Sequence, residues 1–213
     1  MNEIKKIYSI TTRWMLTIVL PLSFFLIIFS KNIIVVLFGS EFAAGATALS
    51  ILSAGYLIHV AVGQSGLTLI SFGKAQYNLI NSIIALIANI LMNLYLIPIY
   101  GINGAAIAST LTFVIVNALM LAELYIMFGI QPYNKNFIKP IAAALLAISP
   151  LFYFSRFFET NIINLISGFA LLLATYLLLL LIFKAFTTED IEIIKAFERK
   201  TEFKINFLRT FIR

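Results

Sequence analysis

The chain has 213 residues, of which 62% are apolar and 11% charged, against roughly 45–50% and about 25% in an ordinary soluble domain. Its Leu and Ile lie in long runs, so lipid rather than water is the solvent this composition suits. There is no cysteine, which excludes disulfides, thiolate catalysis and Cys-based metal sites. The formal charge of +6 does not point to nucleic acid, because the basic residues are spread between apolar runs; attraction to anionic headgroups and the positive-inside rule account for them.

In chain order, the start imitates a signal peptide, with Lys5, Lys6 and Arg13, an apolar run, and then Ala44-Gly45-Ala46. The run from Trp14 to Phe29 is too long for that role and further apolar runs follow, so it reads as a first span over residues 14–30. Pro21 inside it removes a backbone donor and should bend it. After Lys31-Asn32, residues 33–38 are too few to cross and read as an interfacial turn of helix ending at Gly39. A second span over 46–72 exceeds the ~20 residues a straight crossing needs. It is expected to tilt or break, with Gly63-Gln64-Ser65-Gly66 as the weak point. A third span, 79–97, is expected to stop at Pro98, and a tight turn at 100–104 leads into a fourth, 105–128. Gly129 and Pro132 mark a loop before a fifth span, 137–154, which carries Pro140 in its first turn, where proline is tolerated, and Pro150 near its far end. The sixth, 162–183, is almost pure Leu, Ile and Ala and should meet lipid on most sides.

The tail changes character. Ile194, Phe197, Ile205, Leu208 and Ile212 share a helical stripe, with Lys195, Arg199, Lys200, Lys204 and Arg209 largely elsewhere. That pattern suits a basic amphipathic helix lying on a membrane surface, the alternative being a solvated tail with chance periodicity. The expected organisation is therefore all-α and polytopic: a six-helix transmembrane unit over residues 1–188 and a basic amphipathic tail over 189–213. Six crossings put both termini on one side with 13 of the 15 basic residues, leaving Lys31 and Arg156 opposite, so both termini are expected in the cytoplasm.

Polar side chains at membrane depth are costly and usually face protein or water. His59, the only histidine, lies near the middle of the second span; with a reference pKa of about 6.5 it is suited to carry a proton, or it is a neutral group making one interhelical hydrogen bond. Gln64 and Ser65 sit between glycines, where a local break exposes backbone carbonyls of the kind that form transporter sites, or where a notch simply lets helices approach. Asn78, Asn81, Ser82, Asn89 and Asn93 fall on or near one face of the third span. Such a stripe either glues helices together or lines a hydrated cavity. Glu123, two turns beyond Asn117 and toward the cytoplasmic end of the fourth span, is a candidate proton or cation site or an interfacial carboxylate reaching water. Gly104, Ala105, Ala108 and Ser109 form a small-residue packing patch. Paired intramembrane carboxylates, a His cluster, a Ser/His/Asp set and a phosphate loop are all missing, so no catalytic residue, metal or cofactor is expected.

The stretch Leu69-Ile70-Ser71-Phe72-Gly73-Lys74, the asparagines at 81, 89 and 93, and Leu96-Ile97-Pro98-Ile99-Tyr100-Gly101-Ile102-Asn103-Gly104-Ala105-Ala106-Ile107-Ala108 resemble the C-terminal lobe of polysaccharide (O-antigen type) flippases of the multidrug/oligosaccharidyl-lipid/polysaccharide exporter superfamily. Val36-Leu37-Phe38-Gly39-Ser40-Glu41-Phe42 looks like that family's turn after the first helix of the lobe, and the resemblance extends over about residues 8–139. It implies one lobe of a MATE-like bundle, translocation of lipid-linked oligosaccharide across the cell membrane by alternating access, and a second six-helix lobe, from an upstream polypeptide or a second copy. The partners it implies are the bilayer and the lipid-linked glycan, not nucleic acid. On this reading His59, Gln64, Ser65, Asn78, Asn81, Asn89 and Asn93 are cavity-lining candidates, and His59 and Glu123 candidates for ion coupling. Two departures stand out: no Lys or Arg lies near the middle of a span to meet a pyrophosphate, and one lobe alone cannot enclose a two-sided cavity. Alternatives are half of a cation-coupled multidrug exporter, an intramembrane enzyme of glycan assembly, which lacks candidate residues here, and a membrane assembly subunit without transport.

Overall fold

The computed structural model describes residues 2–155, 160–185 and 190. Among them are eight α-helices, two 3-10 turns and no strand. The helices are α1 (Asn2–Ile28), α2 (Ser30–Phe38), α3 (Gly45–Val62), α4 (Ser65–Ser71), α5 (Ala75–Tyr100), α6 (Ile102–Phe128), α7 (Ile138–Ser155) and α8 (Ile162–Ile182). With α3 and α4 counted together, six segments are long and apolar enough to cross a membrane. The chain is an all-α polytopic membrane protein. Helix is the solution that hydrocarbon permits here, because each backbone N–H and C=O must find its partner within the segment. The tail helix expected beyond residue 190 and the position of Arg156 lie outside the described residues.

The helices pack in the lateral order α8, α7, α1, α3, α6, α5. The main apolar core joins α1, α7 and α8 through Leu16, Leu20, Phe25, Ala143, Ala147, Leu151, Leu172 and Tyr176. On α8 the buried residues Gly168, Leu172, Tyr176 and Leu180 recur every four positions; this one stripe faces protein, leaving most of the helix to lipid as its composition implied. Near the start of α1 a smaller core gathers Tyr8, Leu69, Leu124 and Ile130. At that end Ser9 donates to the Pro132 carbonyl at 2.6 Å, Asn134 donates to Ser9 at 3.1 Å, and Phe72 stacks on Phe128 with centroids 4.2 Å apart. At the other end Asn32 donates to Thr160 at 3.1 Å. The loops therefore alternate between the two ends as the six-span reading requires.

Helix ends differ from expectation in two places. α1 begins at Asn2 rather than at Trp14, because the exposed turns around Lys5 and Lys6 carry the helix beyond the apolar run. Arg13 thus lies inside the helix and is only 4% exposed. The third span does not stop at Pro98 but continues to Tyr100. Proline near the C-terminal end forfeits one bond without ending the helix. What ends it is Gly101, with φ 56 and ψ −133, and this single residue replaces the longer turn read from sequence. Gly104 on the next turn of α6 sits so close to α5 that a Cβ there would run into the Leu96 carbonyl. α8 starts on Asn161, whose side chain accepts from the Asn164 N–H at 2.8 Å, an ordinary N-cap.

The break in the second span falls at Gly63-Gln64, as the glycine spacing implied. Gly63 has φ 72 and ψ −153, and Gln64 opens α4 with φ −84 and ψ 51. Tyr8 satisfies the interrupted backbone from across the helix interface: its hydroxyl donates to the Val62 carbonyl at 2.7 Å and shares a 2.7 Å hydrogen bond with Ser65. Thr12, fully buried on the next turn of α1, lies where a Cβ on residue 63 would go. Gly63→Ala should therefore lower the thermal unfolding midpoint in detergent, costing about 1–3 kcal/mol for the left-handed backbone and roughly as much again for overpacking. Adding Thr12→Ala, which removes Oγ1 and Cγ2 but keeps Cβ, should recover part of the steric cost and none of the backbone cost. Full recovery in the double variant would show that the backbone conformation at Gly63 carries no cost.

A polar pocket at the helix break

The interrupted α3–α4 segment opens a pocket of about 310 Å³ between α1, α3, α4, α5 and α6. His59, Gln64, Asn78 and Asn117 supply its polar lining, and Met15, Tyr56, Leu67 and Met120 much of the apolar remainder. The break makes this arrangement. A continuous helix would keep Gly66 on the cylinder of α3, whereas the turn at Gly63 swings α4 so that Gly66 meets Asn78, whose Oδ1 lies only 2.6 Å from where a Cβ would stand.

His59 is in the last turn of α3 and half-buried. Its Nδ1 lies 3.2 Å from Asn117 Oδ1 and 3.0 Å from Asn117 Nδ2. The amide can thus donate to a neutral imidazole or, rotated, accept from a protonated one. The ring stacks on Phe113 at 5.1 Å and meets Tyr56 at 6.1 Å. Asn117 itself is 3% exposed, and His59 is both a group on the pocket wall and a partner in an interhelical bond.

The other candidates divide. Gln64 is exposed into the pocket and donates weakly to Met15 Sδ at 3.5 Å. Ser65 is buried against Tyr8 and the Val62 carbonyl, behind the pocket wall. Of the asparagine stripe, Asn78 lines the pocket, while three others turn to pairing. Asn81 donates to Glu123 Oε2 at 2.6 Å and Asn89 to Thr112 at 3.2 Å, both across to α6. Asn93 donates at 2.9 Å to the Asn89 side chain and carbonyl. Ser82 is exposed, with its hydroxyl returned to the Asn78 carbonyl at 2.8 Å. Two members of the stripe, Asn81 and Asn89, tie α5 to α6, and its first residue, Asn78, faces the pocket. Glu123 is spent on Asn81 and does not line the pocket.

Sequence reasoning gave Asn117 no role beside His59, and it missed Tyr8 and the buried pair of Arg13 with Asp190. Each depends on which helices become neighbours, which no local spacing encodes. A signal did exist for the break itself, since two glycines within four residues mark where helix geometry can fail.

Comparison with known proteins gives two relatives. The chain is 31% identical over 117 residues to the probable low-salt glycan biosynthesis flippase Agl15 of Haloferax volcanii, a match covering 54% of this chain and 24% of that protein. It is 26% identical over 161 residues to the uncharacterized membrane protein MJ1068 of Methanocaldococcus jannaschii, covering 70% of this chain and 30% of that one. The matched stretches thus span only about a quarter to a third of these curated relatives. No family model matches the chain, and no solved structure matches it. These similarities support a flippase-like membrane protein.

The Asn81–Glu123 bond admits a direct test. Asn81→Ala should destabilise the α5–α6 pair by about 1 kcal/mol, within the range of interhelical hydrogen bonds in membranes. Glu123→Gln, which keeps an acceptor, should be close to neutral in detergent melts. Equal losses in the two variants would mean that the charge, not the hydrogen bond, is what matters.

Proposed function

We propose that residues 1–188 form one six-helix lobe of a MATE-like flippase that moves lipid-linked oligosaccharide across the cell membrane in polysaccharide or glycan biosynthesis, with residues 189–213 as a cytoplasmic surface tail. The observation that carries this reading is the similarity to a protein named as a glycan biosynthesis flippase. The intramembrane pocket supports it. A sugar headgroup needs hydroxyl-compatible donors and acceptors away from lipid, and His59, Gln64, Asn78 and Asn117 provide amides and an imidazole rather than fixed charges. The pocket is open on one side, so a second six-helix lobe, from an upstream polypeptide or another copy, would complete the cavity and alternate its access. His59 is the ion-coupling candidate placed on the pocket wall. Glu123, tied to Asn81 and away from the pocket, gives little to the alternative of a cation-coupled drug exporter.

The test is reconstitution into vesicles with a fluorescent polyprenyl-diphosphate oligosaccharide. With a partner lobe present, labelled glycan should reach the opposite leaflet, and the chain alone should remain at background. Gln64→Leu with Asn78→Leu should slow exchange about tenfold, the effect of leaving one buried hydroxyl of the glycan without its hydrogen bond. Exchange that proceeds equally well with the polar lining removed would sink the assignment of this pocket to the glycan.

Both termini belong in the cytoplasm on this reading. The chain has no cysteine, so single-cysteine labelling is clean. In intact cells an impermeant thiol reagent should modify Thr160→Cys and spare Gln131→Cys until the membrane is opened, both positions being exposed. The reverse pattern would overturn the orientation.

A further inference from the structure

The polar side chains on the pocket wall differ from those elsewhere in the spans in how little they bond to. Asn81, Asn89 and Asn93 are each paired within the protein. On the wall, Gln64 reaches only the weak acceptor Met15 Sδ, and among the described residues the Asn78 amide and the Tyr56 hydroxyl make no hydrogen bond. His59 spends Nδ1 on Asn117. When that amide donates, the imidazole proton sits on Nε2, the ring's remaining donor. Open hydrogen-bonding capacity at membrane depth is costly, so it is kept for water or for a ligand.

Three features narrow the ligand. First, the lining contains no Asp, Glu, Lys or Arg. A carboxylate, sulfate or phosphate entering the pocket would shed hydration without meeting a fixed countercharge. Second, an aromatic ring stands beside the open polar groups. Tyr56, 52% exposed, shares one face of α3 with His59, Val60 and Gly63 at helical spacing, and all four line the pocket. The face of an aromatic ring is electron-rich. It complements the apolar C–H face of a pyranose, while hydroxyls around the sugar's rim suit amides and an imidazole. Third, about 310 Å³ is at the small end of ligand sites, which run from about 300 to 1,000 Å³. That is the scale of one sugar ring rather than of a whole oligosaccharide.

Resting on the reading of this pocket as a glycan site, we infer that it selects an uncharged sugar. One ring stacks on Tyr56, its hydroxyls bond to Gln64, Asn78 and the His59 imidazole, and acidic sugars are rejected. The diphosphate of a lipid carrier faces the same penalty as an acidic sugar and is met outside this pocket.

Saturation-transfer NMR on the full chain in phosphatidylcholine nanodiscs tests this, with empty nanodiscs as the blank. The probes are methyl glucoside and methyl glucuronide at neutral pH, which differ only in the carboxylate. The glucoside should receive saturation, strongest on the protons of one ring face, and the glucuronide about tenfold less, since its carboxylate finds no cation on the wall. Tyr56→Phe keeps the ring and should retain most of the glucoside signal. Tyr56→Leu should lose about tenfold, with an unchanged helical circular dichroism melt. A glucuronide signal equal to or above that of the glucoside would overturn the proposal, as would a glucoside signal that survives Tyr56→Leu. Saturation of neither sugar would overturn it too, and vesicle exchange of labelled glycan would then proceed through other groups. Selective glucoside binding without any vesicle exchange would instead uphold the sugar site and count against transport.

Discussion

The structure depends on satisfying backbone hydrogen bonds at a place where a membrane helix is interrupted. In hydrocarbon an orphaned carbonyl or amide costs several kcal/mol, so irregular backbone survives only where protein shields it. At Gly63-Gln64 the shield is α1. Tyr8 reaches across to the Val62 carbonyl and to Ser65, and Thr12 closes the space beside Gly63. The position of α1 in the middle of the helix order follows from this, since it must touch α3 and α4 on one side and α7 and α8 on the other. The polar pocket is a by-product of the same device. Once α4 departs from the axis of α3, the side chains of His59, Gln64, Asn78 and Asn117 have room to face one another.

A division of labour among polar residues follows. Groups within reach of the break line the pocket, while Asn81 and Asn89 farther along α5 pair with α6 and Asn93 bonds back to Asn89. The Asn89–Thr112 and Asn81–Glu123 bonds lie on the same helix face as Asn78 yet belong to a different function, because the distance between α5 and α6 is small along most of their length. Small residues explain that closeness. Gly104 touches the Leu96 carbonyl, and Ala108, four residues on and on the same face, is buried.

Much of the fold was legible in the sequence, because hydrocarbon imposes a simple code: runs of about twenty apolar residues, punctuated by Gly, Pro and Lys. The break at Gly63, the short helix ending at Gly39 and the helical ends near Phe128 and Ile162 follow from that code. Pro98 misled because proline is read as a stop, whereas its cost is bounded and the chain carries it one turn farther to Gly101. The site was legible only as a set of types. That His59 would meet Asn117, that Asn81 would turn to Glu123 and that Ser65 would lie behind the wall are facts about neighbouring helices, and periodicity within one helix is silent on them.

The turn at Gly101 has a consequence for how this protein enters its membrane. With one residue between them, α5 and α6 form a tight helical hairpin, a unit suited to partition into lipid as a pair. Two of their amides are already matched within that pair, Asn89 with Thr112 and Asn81 with Glu123, which lowers the insertion penalty of those side chains, whereas Asn117 finds its partner only on α3, at His59. The hairpin thus carries only part of its polar pairing within itself, and α3 completes it.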